Sequence, residues 1–368
     1  MNPTTDPVRI DVATASPYQV LIGHGVVDGL VAHLRPATRR VAVVHAPSVG
    51  VLAHRAVEQL SAAELEVTVI ELPDAEAAKT VQTLSHCWDV LGRNGFTRSD
   101  AVVSLGGGAT TDLAGFAAAS WLRGIDVVHC PTTTLAMVDA AVGGKTGINT
   151  AVGKNLVGAF HEPRAVLVDL DVLAGLPVEE HRAGLAEVVK AGFISDTVIL
   201  DLIEADPAAA LDPTHPVVAE LIARAIAVKA LVVGADLRET ATSGLSREFL
   251  NYGHTFAHAI EQVENYTWRH GHAVSVGMTF VAELAAALSI LDRADADRQI
   301  RILRALGLPV RYDGAASWDS LLATMRIDKK ARGAVLRFVV LDRMAHPRVI
   351  EDPANDALIH AYEVVTGP

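Results

Sequence analysis

Cysteine is nearly missing from this chain: Cys87 and Cys130 are the only two in 368 residues. Two thiols are too few for a disulfide framework or a thiolate metal site, and the expectation is a pair of buried cysteines in a reducing cytoplasm. Long apolar runs are also lacking, since each breaks off before the roughly 18 residues that would cross a bilayer. The opening stretch Met1–Arg9 is polar and carries no apolar signal core. No block of like charge occurs, which excludes a charged disordered tail or a coiled coil. The net charge of -12 argues against general nucleic-acid binding, although a small local cluster of Lys and Arg can still hold an anionic ligand. A globular, non-membrane, cytoplasmic protein is expected.

Half of the residues are apolar, and the length favours two domains. β-Branched runs at Arg40–His45, Val67–Leu72, Ala101–Leu105, Asp126–Cys130 and Ala165–Asp169 alternate with helical patterns, which predicts a parallel sheet covered by helices on both faces. After about Leu176 the period becomes helical, over Gly184–Glu204, Val217–Ala235, His254–Glu264 and Ala273–Leu291. The expected fold is α/β: an N-terminal Rossmann-like sheet domain over 1–176 and a mostly α-helical domain over 177–368, with the active site in the cleft between them.

Three familiar motifs are missing. Strand Ala101–Leu105 runs into Gly106-Gly107-Gly108 and a helix containing Asp112, but this is not G-x-G-x-x-G. Glycines at a strand-to-helix turn still let a pyrophosphate approach the backbone at a helix N-terminus. Pro131-Thr132-Thr133-Thr134 adds hydroxyls at the same sheet edge; helix capping is their common role, but together with the triple glycine they point to a nucleotide. Gly144-Lys145-Thr146 is not a Walker loop, because Asp139 stands where the first glycine belongs. What remains from Gly143 to Asn155 is a glycine-rich loop presenting Lys145, Lys154 and an amide, a set suited to phosphate. H-E-x-x-H is absent too. Instead His254 and His258 stand four apart, followed by Glu261, His270 and His272, a ligand inventory that Zn²⁺ prefers. Glu187 and Lys190 share a helix face, a spacing that usually means an ion pair.

Read in order, these segments resemble the 3-dehydroquinate synthase family of sugar-phosphate cyclases. The likeness runs from Gly106-Gly107-Gly108 through Asp112-Leu113-Ala114-Gly115-Phe116, Arg123-Gly124, Pro131-Thr132-Thr133 and Val138-Asp139 to Gly147. It continues through Gly153-Lys154-Asn155, Ala186-Glu187 with Lys190, Asn251-Tyr252-Gly253-His254-Thr255, His258-Ala259, His270-Gly271 and Asp328-Lys329-Lys330. The resemblance implies zinc or cobalt on Glu187, His254 and His270. It implies NAD on Asp74, Glu76 and Lys79, on Gly107, Gly108 and Asp112, on Thr132 and Thr133, on Lys145 and Lys154, and on Val172, Leu173, Ala174 and Gly175. Substrate phosphate would fall to Lys145, Asn155, His258 and one of Lys329 and Lys330, with Arg123 reaching in from a second subunit of a homodimer. The substrate carboxylate would fall to Lys229 and Arg247, and ring hydroxyls to Asp139, Lys190 and Asn251. One departure lies between Asp236 and Arg247, where the family has a compact acidic stretch; here Glu239 takes the place of its active-site glutamate.

The implied reaction belongs to the shikimate pathway to chorismate and the aromatic amino acids. It converts 3-deoxy-D-arabino-heptulosonate 7-phosphate to 3-dehydroquinate by transient oxidation at C5, phosphate elimination, re-reduction, ring opening and aldol closure. Sister cyclases of the 2-epi-5-epi-valiolone or 2-deoxy-scyllo-inosose type, and a metal-dependent polyol dehydrogenase, are the competing readings.

Overall fold

The computed structural model describes residues 6–239, 245–329 and 335–367, without the side chains of 327–329. The chain divides into two compact units: one runs to Pro177 and takes in Lys229–Arg238, and the other comprises Val178–Val228 and the chain from Glu239 onward.

In the first unit the strands are β1 (Val8–Val12), β2 (Tyr18–Gly23), β3 (Arg40–His45), β4 (Glu66–Glu71), β5 (Ala101–Gly106), β6 (Asp126–Pro131), β7 (Lys145–Thr150), β8 (Gly153–Phe160) and β9 (Ala165–Asp169). Seven of them form a sheet in the order β1-β2-β9-β6-β5-β3-β4, parallel except for the β1–β2 pair. Strand alternation feeds two cores. Val41, Val43, Val103 and Leu105 face one side with α1 (Gly50–Ala62), whereas Ala42, Val44, Val102 and Val127 face the other with α2 (Val81–Arg93) and α3 (Gly108–Ser120). Side chains that alternate between two apolar layers explain why these strands read as unbroken β-branched runs. Cys87 and Cys130 are buried and free, and burial pushes the Cys87 thiol up to about 11.

The stretch from Gly143 to Asn155, expected as a glycine-rich loop, is instead the start of the β7–β8 hairpin. Its glycines serve close strand contact: a Cβ on Gly147 would sit 2.9 Å from Val157 O, and one on Gly158 3.0 Å from Gly147 Cα. The β1–β2 pair is likewise absent from the sequence reading.

The second unit is mostly helical: α4 (Val178–Ile194), α5 (Val198–Ala205), α6 (Pro207–Leu211), α7 (Pro216–Ala235, whose last turns belong to the first unit), α8 (His254–Val263), α9 (His270–Ala287), α10 (Arg293–Ala305), α11 (Trp318–Lys329) and α12 (Asn355–Thr366). An antiparallel hairpin, β10 (Arg337–Arg343) with β11 (His346–Glu351), was not anticipated. The single helical segment expected over Gly184–Glu204 is two helices. They part at 195–197, where the Asp196 carboxylate accepts the Val198 N–H at 3.1 Å. Among the described residues no helix is long and apolar enough to cross a membrane.

Asp100, buried at the foot of β5, accepts the backbone N–H groups of Thr97 (2.7 Å), Arg39 (3.2 Å) and Arg40 (2.8 Å), tying β5 to β3. Burial alone would raise its carboxyl, but these hydrogen bonds outweigh that and hold it below the usual range. The stabilisation is therefore complete above the unfolded pKa of about 3.9 and is lost as pH falls through the lower folded value. Asp100→Ala should cost about 1–3 kcal/mol at pH 7. Urea titrations across pH should show that deficit shrinking once the pH drops below that of an unfolded aspartate.

Candidate active site

In the first unit, β5 ends in a turn that admits only glycine at Gly106, where a Cβ would come within 2.7 Å of Thr110 Cβ. At Gly107 and Gly108 a Cβ would press on Thr133 Cγ2 at 3.3 Å and Ala140 Cβ at 3.2 Å. The turn thus packs against the segment that follows β6, and Thr132 N–H closes it by donating to Gly106 O at 2.9 Å. α3 starts here, and its N-terminal dipole favours an anion. Thr133 Oγ1 accepts the Ala136 N–H at 3.2 Å, so it does cap the next turn.

Lys79 is buried, and its ammonium donates to Asp112 at 2.7 Å and to the Asn155 amide oxygen. Asp74 and Glu76 are exposed. Glu76 accepts from the Asn149 side chain at 2.7 Å, and Asn149 Oδ1 accepts the Asn155 N–H at 3.1 Å. The segment from Asp74 to Lys79 is thereby stitched to the β7–β8 hairpin, with Lys145 exposed and Lys154 half-buried on it. Asn149 escaped the sequence reading, as nothing in its local pattern marks it. Within the short helical turn Leu170–Gly175, Leu173 is fully buried, Val172 packs on the core, and Ala174 and Gly175 are exposed.

Asp139 sits in a π-helical turn, Ala136–Ala140, an irregularity frequent at functional sites. Buried Lys229 donates to Asp139 O at 2.5 Å and pairs with its carboxylate. Arg123 is exposed in a left-handed stretch, with φ of 49° at Leu122, 67° at Arg123 and 121° at Gly124.

In the second unit Glu187 on α4, His254 at the start of α8 and His270 at the start of α9 place one ligand atom each within 4.8 Å of one another. Glu187 Oε1 lies 3.3 Å from His254 Nε2 and 3.5 Å from His270 Nε2. That oxygen is buried without a well-formed hydrogen bond. Three electron-pair donors thus face one point, a set of one carboxylate and two imidazoles that suits Zn²⁺ or Co²⁺. Lys190 pairs with the other oxygen, Glu187 Oε2. Burial would raise the Glu187 carboxyl, but the Lys190 ammonium and the imidazoles hold it well below the usual range. Burial, reinforced by Lys190, lowers His254 to about 4. Burial acts the same way on His270, yet hydrogen bonds to Glu187 and Glu261 prevail and raise it to about 10.

His258 is exposed, with its ring 5.4 Å from that of His254 and edge-on to it. Arg247 is buried, with Nε 3.8 Å from Glu239 Oε1, and half-buried Asn251 closes the same short turn, Arg247–Asn251. Glu239 therefore does stand beside a predicted substrate residue; residues 240–244 lie outside the described residues. So does Lys330, while Lys329 ends α11 without a described side chain. Sequence reasoning grouped Glu261 with metal-type ligands, but its carboxylate instead meets His270 Nδ1 at 3.1 Å.

Residues 69–183 match a family model described as 3-dehydroquinate synthase N-terminal, and residues 184–331 one described as 3-dehydroquinate synthase C-terminal. A curated 3-dehydroquinate synthase of Rhodococcus erythropolis is 56% identical over 361 residues, covering 98% of this chain and 96% of the relative. Among solved structures, 2-epi-5-epi-valiolone synthase of Streptomyces hygroscopicus with NAD⁺ and Zn²⁺ bound superposes with a TM-score of 0.87 at 25% identity, over 95% of this chain and 96% of that one. A 2-deoxy-scyllo-inosose synthase complexed with carbaglucose-6-phosphate, NAD⁺ and Co²⁺ gives 0.86 at 26%, over 97% and 99%.

Glu187→Ala should strip bound zinc to background in elemental analysis of the purified protein; retained zinc with full turnover would remove Glu187 from the ligand set. Lys79→Met should cost about 1–3 kcal/mol at pH 7, because it leaves the half-buried Asp112 carboxylate without its cation. Burial already raises Asp112 in spite of Lys79. The variant's deficit should therefore grow as pH rises through the carboxyl range, and a pH-independent loss in urea titrations would contradict this account.

Proposed function

The chain belongs to the 3-dehydroquinate synthase family, and we propose that it converts 3-deoxy-D-arabino-heptulosonate 7-phosphate to 3-dehydroquinate and phosphate in the shikimate pathway. It is an enzyme and a lyase, and in finer terms a carbon–oxygen lyase acting on a phosphate ester. One observation carries the reading: Glu187, His254 and His270 converge in a chain that is more than half identical, nearly end to end, to curated synthases. NAD and a divalent ion, Zn²⁺ or Co²⁺, are the cofactors, as in the superposed cyclases. When bound, NAD supplies a hydride acceptor that is restored within the turnover, and the metal a Lewis acid for the hydroxyl being oxidised.

The chain's own residues then divide the work. The glycine turn with Asp112, the Asp74–Lys79 segment, Thr132, Thr133, Lys145, Lys154 and Val172–Gly175 hold the nucleotide, which makes residues 1–176 the NAD-binding domain. Glu187, His254 and His270 hold the metal in the domain over 177–368. Lys145, Asn155, His258 and one of Lys329 and Lys330 stabilise charge on the leaving phosphate, so that elimination does not build an unpaired trianion. Lys229 and Arg247 hold the substrate carboxylate, while Asp139, Lys190 and Asn251 orient the hydroxyls and Glu239 keeps Arg247 in place. Exposed Leu156, Val157 and Phe160 on β8 support a homodimer, in which Arg123 would reach a second subunit's site. A cytoplasmic location agrees with two buried free thiols.

The sister cyclases share the fold at 25–26% identity, far below the synthases, and are not favoured. A polyol dehydrogenase would differ in outcome, since it accumulates NADH. Incubating the protein with 3-deoxy-D-arabino-heptulosonate 7-phosphate, NAD and zinc should release phosphate and 3-dehydroquinate in equal amounts with no lasting NADH absorbance. Phosphate release absent from folded, metal-loaded protein would overturn the substrate, and NADH build-up would point to a dehydrogenase.

A further inference from the structure

Of the three metal-type ligands, His270 is the one whose geometry most needs explaining. It is the first residue of α9, and its side chain is 27% exposed against 2% for Glu187 and 11% for His254. A histidine at a helix start and partly in solvent has several staggered rotamers open to it, and the one observed aims Nε2 at the point faced by Glu187 and His254. His254 is better confined: it is buried, and its Nδ1 meets Tyr252 O at 3.1 Å.

We infer that Glu261 is the positioning residue for His270, holding the ring in the tautomer and rotation that present Nε2 to the metal. Its Oε2 lies 3.1 Å from His270 Nδ1. Glu261 is only 4% exposed, and a carboxylate taken out of water is costly unless it is paired. An ionised carboxylate only accepts hydrogen bonds, so its contact keeps a proton on Nδ1 and makes Nε2 the nitrogen at which a metal ion would replace the other proton. Glu261 follows His254 by seven residues on α8 and so lies on the same helical face, two turns along. One face of α8 therefore supplies both a ligand and the buttress of a ligand on α9. A carboxylate behind a ligating imidazole also raises its basicity, and such groups govern metal affinity about 10–100-fold.

The inference rests on the metal reading of Glu187, His254 and His270, and the experiment separates the two. Zinc affinity of the full chain is measured by competition with a chromophoric chelator, and the absorption bands of the Co²⁺-loaded protein are recorded alongside. Glu261→Gln keeps an acceptor oxygen but loses the charge, whereas Glu261→Ala loses both. The expected order of affinity is wild type, then Gln, then Ala, with Ala weaker than wild type by about 10–100-fold and with a changed cobalt spectrum. Should Ala fail to fold, the Gln variant still shows weakened zinc binding at unchanged thermal stability of the metal-free protein. Variants that bind zinc as wild type does, with an unaltered cobalt spectrum, overturn the role of Glu261 alone. A wild-type chain that takes up neither metal overturns the metal reading, and this inference with it.

Discussion

The metal-type site depends on how closely three helix backbones approach one another. A Cβ on Gly271 would come within 2.6 Å of Ala183 C, joining the start of α9 to α4, and one on Gly253 would lie 2.7 Å from Met278 N, joining the start of α8 to α9. Gly277 faces Gly253 in the same way, with its Cβ position 2.9 Å from the Gly253 carbonyl carbon. Gly253 also adopts φ of 78°, where a side chain is strained. Helix axes usually stand 8–10 Å apart because side chains separate them. With glycine at the contacts, Glu187, His254 and His270 reach one point with the short side chains of a carboxylate and two imidazoles. Larger residues there would hold the helices apart, and the ligand atoms would no longer lie within 4.8 Å of one another.

In the first unit a comparable constraint comes from the sheet. Alternating strand residues fill an apolar layer on each face, which leaves the carboxyl ends of β5 and β6 as the edge where polar and glycine residues gather. The turn after β5 and the threonines after β6 are bound together by one backbone hydrogen bond, Thr132 N–H to Gly106 O. Parallel α/β sheets bind ligands at this edge because strand ends there meet helix N-termini.

Much of this was legible in the sequence, for identifiable reasons. Strands buried on both faces announce themselves as unbroken β-branched runs, so β3 and β9 were bounded to the residue. The ligand triad was legible only through family resemblance, since Glu187 stands far in sequence from His254 and His270 and spacing cannot reveal that they meet. The β7–β8 hairpin was obscured because its glycines, needed for strand contact, carry the same signal as a phosphate loop. The break between α4 and α5 was missed because the apolar period continues across it and the residues at 195–197 carry no glycine or proline to mark it. Family resemblance singled out Lys79, but its burial against Asp112 and Asn155 depends on long-range packing that no local pattern encodes.

Such pairings also show how an acidic protein, at a net charge of -12, keeps several cations out of water. Lys79, Lys190, Lys229 and Arg247 are all buried, and each faces a carboxylate of its own unit: Asp112, Glu187, Asp139 and Glu239 respectively. A buried cation without such a partner would lose its proton or destabilise the fold, so the carboxylate is what permits the charge to be kept out of water. The cost is that an arriving anion meets a half-neutralised cation and gains less from long-range attraction. An anion that did bind would gain instead in geometry, because each ammonium or guanidinium is already held by its carboxylate and little side-chain freedom remains to be lost. Recognition by paired cations of this kind would owe more to preorganised hydrogen bonds than to net field, so an overall negative charge does not by itself bar an anionic ligand.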